Sequence, residues 1–139
     1  MRQEFINVTA ETRARMQAVR QHGTGAEMRV RRTLHLLGYR FRLHRNDLPG
    51  KPDIVLPGRK KIIMVNGCFW HGHAQCKRAK LPKSNVDLWC KKIESNRARD
   101  SRNILALKSL GWEVLTVWEC ETRNPLTLAV RLEKFLSEN

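Results

Sequence analysis

Four side chains able to bind a soft cation stand in the pattern Cys68-x4-His73-x2-Cys76, with Cys120 far along the chain. Thiolate sulfur and imidazole nitrogen are the ligands a tetrahedral Zn²⁺ takes. Four of them close its coordination sphere, so such an ion would be structural. It would pin the loop after Gly67 to the segment ending at Cys120. The plainer alternative is that these cysteines are buried as small apolar residues, and His71 and Cys90 are spare ligands that can replace a member of the set.

A second set is rich in oxygen. Asp53 follows Pro52 at the start of an apolar run, just after a tight turn, and Glu27 lies on the preceding helical segment. Two carboxylates converging on one point suit Mg²⁺ holding a phosphodiester oxygen and a water. Each also has an ordinary role: Glu27 completes a Thr24-x-x-Glu capping box, and aspartates such as Asp53 are common in turns. Asn96 and Asp100 are four apart in a helical stretch, hence on one face, with Ile93 and Ile104 extending it. Polar groups on a core-facing stripe need partners, which metal-bound waters, a histidine or backbone groups would supply. His71 can exchange a proton near neutral pH and so act as general base towards a water. Phe69, Trp70 and Trp89 are large rings in lysine-flanked polar segments, and aromatic wedges between bases open or kink a duplex. Trp112 and Trp118, on a plain strand, read as core.

The balance of charge points to a polyanionic partner. Lys plus Arg total 27 against 13 Asp plus Glu, a net charge of +14 at pH 7. Charge alone fits equally well a basic binding protein of the ribosomal or chaperone kind, which does no chemistry. The 139 residues suit one domain with a sizeable core. No stretch approaches the roughly 20 apolar residues of a membrane span, and four cysteines without a secretory segment read as reduced thiols of a soluble, cytoplasmic protein.

The positioning elements follow from local pattern. Thr24 and Glu27 open a helix over about 26–37, with Gly38 as its stop. Tyr39, Phe41 and Leu43 alternate with Arg40, Arg42 and His44 as in a half-buried strand. Residues 46–52 turn, 53–56 form a short strand, and the continuous apolar run Ile62–Val65 predicts a central strand covered on both faces. Residues 67–81 lack periodicity and need something other than packing to organise them. A helix over 86–110 buries Ile93, Ile104, Leu107 and Leu110, a strand follows over 112–118, and Asn124-Pro125 caps a closing helix over 126–136. The order helix, three strands, helix, strand, helix predicts an α/β fold with a mixed central sheet flanked by helices.

Taken together, Leu43-His44-Arg45, Asp47-Leu48-Pro49-Gly50-Lys51-Pro52-Asp53-Ile54-Val55, the run Asn66-Gly67-Cys68-Phe69-Trp70-His71-Gly72-His73 and the segment from Trp112 to Cys120 resemble the very short patch repair endonucleases. The likeness runs from about Arg15 to Glu121. It implies a restriction-endonuclease-like fold and an enzyme that nicks duplex DNA 5′ of the mispaired T in a T:G mismatch, starting repair of deaminated 5-methylcytosine. Under that likeness Asp53 and the Val65 carbonyl bind catalytic Mg²⁺, and His71 activates water. Glu27, Asn96 and Asp100 support the metal waters and the histidine, while Phe69, Trp70 and Trp89 push into the base stack. Cys68, His73, Cys76 and Cys120 match the zinc ligands. Residues 1–23 form a basic DNA-binding arm and 24–139 the endonuclease domain of a monomer, with mismatch-repair proteins as possible partners.

The sequence departs from the family pattern in three places. Asn66 stands where His or Asp is expected, Ala26 replaces a proline before Glu27, and one extra residue separates His73 from Cys76. Two other readings stay open: a restriction or nicking enzyme of the same fold without T:G preference, and a zinc-stabilised DNA-binding module without activity.

Overall fold

The computed structural model describes residues 25–69, 71, 73, 76 and 83–138. The expected basic arm, residues 1–23, lies outside the described residues, as do Thr24 and Trp70. Helix α1 (Gly25–Leu36) leads into β1 (Arg42–Leu43), β2 (Ile54–Leu56) and β3 (Lys61–Asn66); α2 (Val86–Ser109), β4 (Glu113–Trp118) and α3 (Pro125–Ser137) complete the order. That is the expected succession. Short 3-10 turns cover Pro57–Arg59 and Glu119–Arg123.

The sheet runs β1-β2-β3-β4, antiparallel across the first two pairs and parallel between β3 and β4. It is therefore mixed. The parallel step requires a crossover, which α2 supplies. β1 is shorter than the alternation of residues 39–43 predicts. β2 offers three residues before Pro57 turns the chain, and Arg42↔Val55 and Leu43↔Ile54 are the β1 pairs it makes. Tyr39 and Phe41 still pack against the core.

Alternation along the strands divides the core between two faces. Ile54, Leu56, Ile63 and Val65 point to α1 and α3, meeting Val30, Leu34, Leu128, Leu132 and Leu136. Val55 and Ile62 point the other way, to Leu107 of α2 and to Trp112. β3 is thus covered on both sides, as its unbroken apolar run predicts. Leu110 is 54% exposed, because α2 ends at Ser109 and the turn through Gly111 carries it off the buried stripe. The Asn124 cap is as expected, with its side-chain oxygen accepting from the Thr127 N–H at 3.1 Å. No helix among the described residues is long and apolar enough to cross a membrane.

Candidate active site and metal centre

A cleft of about 500 Å³ opens where the C-terminal half of β3 faces α2. Asp53, Val65, Asn66, His71, Asn96 and Asp100 all line it. Their positions follow from the elements. Asp53 immediately precedes β2, and its Oδ2 accepts the Val65 backbone N–H at 2.9 Å, so the carboxylate is held against β3 while remaining 7% exposed. His71 lies in the loop after β3, where its backbone N–H donates to the Gly67 carbonyl at 3.1 Å. Asn96 and Asp100 are one helical turn apart on α2, and that spacing brings both to the cleft wall.

The His71 Nδ1 atom is hydrogen-bonded to Asp100 Oδ2. A carboxylate there holds the ring and favours the tautomer with the proton on Nδ1, leaving Nε2 free to accept one. Asn96 Oδ1 accepts from Arg99 Nη2 at 3.1 Å. The cleft also contains Lys51, Arg99 and Asn103, which sequence reasoning missed. Lys51 carried a readable signal: a cation between Gly50 and Pro52, next to the metal-type aspartate. Its φ of 46° belongs to the sharp turn that brings Asp53 in.

Glu27 stands apart from this wall. It is 2% exposed on α1, and its Oε2 lies 3.2 Å from His44 Nε2 and 3.5 Å from Arg31 Nη1. Glu27, His44 and Asp53 present ligand atoms within 4.8 Å of one another. The period-two pattern makes His44 one more outward basic residue of β1; its φ of 47° ends the strand and turns the ring back to Glu27.

The soft-ligand set converges as its spacing suggests. Ligand atoms of Cys68, His73, Cys76 and Cys120 lie within 4.8 Å of one another. His73 Nδ1 is 3.5 Å from Cys120 Sγ, close to the roughly 3.5–3.8 Å edge of a tetrahedron built on zinc bond lengths. Burial pushes the Cys68 thiol up to about 12, and only a cation alongside makes such a sulfur a thiolate. These residues fit Zn²⁺. Cys76 joins the set despite the extra residue before it, whereas Cys90 is exposed on α2 and outside the set.

Cys120 is presented by the Glu119–Arg123 turn, which is braced from two sides. Thr122 donates to the Glu119 carbonyl at 2.7 Å and accepts from Arg29 Nη1 at 3.1 Å. Trp118 is half-buried and not plain core: it stacks on His73 at 4.2 Å and meets His71 edge-on at 6.5 Å. The Cys/His cluster and His71 therefore share one aromatic support. Phe69 and Trp89 are 8% and 4% exposed and touch edge to face at 5.5 Å.

Carboxylate, oriented imidazole and cations in one cleft, on a strongly basic protein, make a centre suited to hydrolysing a phosphate ester. Comparison with known proteins gives it a class. The family model described as DNA mismatch endonuclease Vsr matches residues 7–78. The type II nicking enzyme V.XorIIP of Xanthomonas oryzae pv. oryzae is 54% identical over 121 residues, covering 87% of this chain and 88% of that protein. The DNA mismatch endonuclease Vsr of Escherichia coli K12 is 40% identical over 126 residues, 87% of this chain and 80% of its own length. A further type II nicking enzyme, V.NmeAIP of Neisseria meningitidis, is 41% identical over 115 residues, covering 83% of this chain and 81% of its own. The protein is a DNA endonuclease. It belongs to the Vsr family of DNA mismatch endonucleases, which bears out the resemblance carried by its cysteine-tryptophan-histidine run.

Proposed function

We propose that this endonuclease nicks duplex DNA 5′ of the T in a T:G mismatch by metal-assisted hydrolysis, and that its fold is of the restriction-endonuclease-like kind. The observation that carries the reading is the His71–Asp100 pair facing the same cleft as Asp53. A hydrolytic nuclease can use an oriented side chain that takes a proton from water beside a metal-type carboxylate.

In this reading His71 accepts a proton from the attacking water at Nε2, while Asp100 steadies the imidazolium through Nδ1. Lys51 and Arg99 bind the non-bridging oxygens of the scissile phosphate and offset charge that builds as water adds. Asn96 orients the cleft through Arg99. Asp53 and the Val65 carbonyl would hold Mg²⁺, and Glu27 supports Asp53 from behind. When bound, Mg²⁺ polarises the phosphate and lowers the pKa of a nearby water. Zn²⁺ on Cys68, His73, Cys76 and Cys120 is structural, since four protein ligands leave no open position.

Phe69, Trp70 and Trp89 form the aromatic group beside the mismatch. Because Phe69 and Trp89 pack on each other, insertion requires that contact to open, a cost repaid by stacking on bases. Residues 1–23 act as a basic arm on the phosphate backbone, and the protein works as a cytoplasmic monomer alongside mismatch-repair proteins. The nicking enzymes among its relatives favour a second reading, in which cleavage follows a sequence and not a mismatch. End-labelled duplexes differing only in T:G against T:A decide between them: nicking confined to T:G supports the proposal, and equal nicking of both supports the second reading.

A further inference from the structure

We propose that an arginine-lined groove at the far end of the sheet from the cleft is a second DNA contact, which holds the sugar-phosphate backbone of the bound duplex away from the scissile phosphate. That the groove binds DNA rests on the chain being a DNA endonuclease. Its distance from the cut rests on the proposed function, which puts the scissile phosphate in the Asp53 cleft.

The groove, about 440 Å³, lies between residues 38–42, which lead into β1, and the turn at residues 56–59. It is separate from the cleft. Leu56 pairs with Lys61 at the start of β3, whereas Val65 and Asn66 at its end line the cleft. The six residues of β3 put roughly 17 Å between the two, the rise of about five base pairs. β1 is an edge strand, so the groove opens sideways and a duplex can lie along that edge to reach both ends. Between them the row of free cations is broken, because Arg45 is spent on Asp47 in two bonds of 3.0 and 2.6 Å.

Arg40, Arg42 and Arg59 line the groove, with no acid among its lining residues, and all three are exposed. Among the described residues the side chains of Arg40 and Arg42 make no hydrogen bond or ion pair. Tyr39 and Phe41 pack on the core, so alternation turns Arg40 and Arg42 away from it on one side, about 7 Å apart. Arg59 is preset: its Nη1 donates to the Leu136 carbonyl at 3.1 Å, and its guanidinium lies over the Tyr39 ring, 4.9 Å from the centre. Its other N–H donors remain for a ligand. Glu133 touches a groove residue, accepting from the Tyr39 hydroxyl at 3.0 Å, and does not pair with the arginines. Like charges gathered in this way repel one another and favour a polyanion.

The donors select an extended ligand over a small anion. A free phosphate is commonly cradled by successive backbone N–H groups. Here the Gly38, Tyr39 and Lys60 N–H groups close turns instead, donating to the carbonyls of His35, Leu34 and Pro57 at 3.1, 3.0 and 3.2 Å. Recognition falls to guanidinium groups spread along a segment, which suits successive phosphates of one strand. A Cβ on Gly38 or Gly58 would meet nothing within 4 Å, so the mouth is open enough for a duplex to lie across it. DNA held in the cleft also reaches the groove at an effective concentration that no free acidic peptide matches.

The test is binding of a fully paired duplex to the full-length, zinc-loaded protein in Mg²⁺-free buffer, read by fluorescence anisotropy over a salt series. Wild type is compared with the double variant Arg40→Ala/Arg42→Ala and with Lys108→Ala, an exposed cation of α2 outside groove and cleft. Melting temperature checks folding. The double variant is expected to lower the slope of log Kd against log salt by about two, one for each lost phosphate contact, and Lys108→Ala to leave it unchanged. On T:G duplexes, trimming one arm to fewer than about five base pairs beyond the mismatch should weaken wild type at least ~5-fold and the double variant less than about twofold. A wild-type slope in the folded double variant, or a fall of the same size per charge in Lys108→Ala, overturns the groove as a DNA contact. Wild type insensitive to trimming of either arm overturns it without a variant. A lowered slope in the double variant, with no nicking of T:G DNA by wild type in Mg²⁺, defeats the proposed function and upholds the groove.

Discussion

His71 Nδ1 and Asp100 Oδ2 are hydrogen-bonded across the cleft between the loop after β3 and helix α2. The bond joins two segments that are otherwise set by different forces, one by the cysteine-histidine cluster and the other by packing of Leu107 and Ile93. It makes the direction of the imidazole depend on both. Asp100→Asn keeps a partner of the same shape but removes the charge and can donate to Nδ1, favouring the wrong tautomer. Single-turnover nicking is expected to fall by ~10²–10⁴-fold, with duplex affinity changed less than about twofold on the view that Asp100 does not touch DNA.

Lys51 and Arg99 flank the same cleft from opposite elements, the turn before Asp53 and the exposed side of α2. If each contacts one phosphate, alanine at either position lowers the slope of log Kd against log salt by about one, without altering preference among flanking sequences. Fluorescence anisotropy over a salt series measures this. An unchanged slope in both variants would remove them from the DNA path.

The Cys/His cluster and the loop that carries His71 are linked through Trp118, which both His73 and His71 contact. The protein is expected to hold one zinc per chain by elemental analysis, and Cys120→Ala to lose it. Melting temperature should then drop by more than ~5 °C, as ~1 kcal/mol shifts a chain of this size by about 3–5 °C. Retention of stability without zinc would make the cluster a set of buried thiols.

Gly50 has φ +75°, and a Cβ placed there would sit 2.8 Å from Asn103 Nδ2 and 2.9 Å from its Cβ. Gly50→Ala therefore combines left-handed strain with a push on a cleft residue. The expected cost is about 1–3 kcal/mol in thermal stability, accompanied by reduced nicking that exceeds what unfolding at the assay temperature explains.

Much of this was legible from residue types. The continuous run Ile62–Val65 marked the central strand, and Asn124-Pro125 marked the start of α3, because local packing and capping chemistry decide both. Asn96 and Asp100 were placed on one face by the helical period alone. What period and propensity cannot carry is the encounter of distant segments. His44 looked like one more outward basic residue of β1 until its left-handed φ turned it to Glu27. Lys51 and Arg99 join the cleft only because β2 and α2 pack on neighbouring parts of β3. The extent of β1 is likewise not set by its alternation: only Arg42 and Leu43 pair with β2, while Tyr39 and Phe41 pack on the core without joining the ladder.

The most direct test of the account is single-turnover cleavage of an end-labelled T:G duplex with Mg²⁺ by wild type and Asp53→Asn, with binding measured on the same duplex. The account predicts a single nick 5′ of the mispaired T by wild type, and a loss of at least ~10³-fold in Asp53→Asn while the duplex remains bound. Cleavage by Asp53→Asn at near wild-type rate would contradict it.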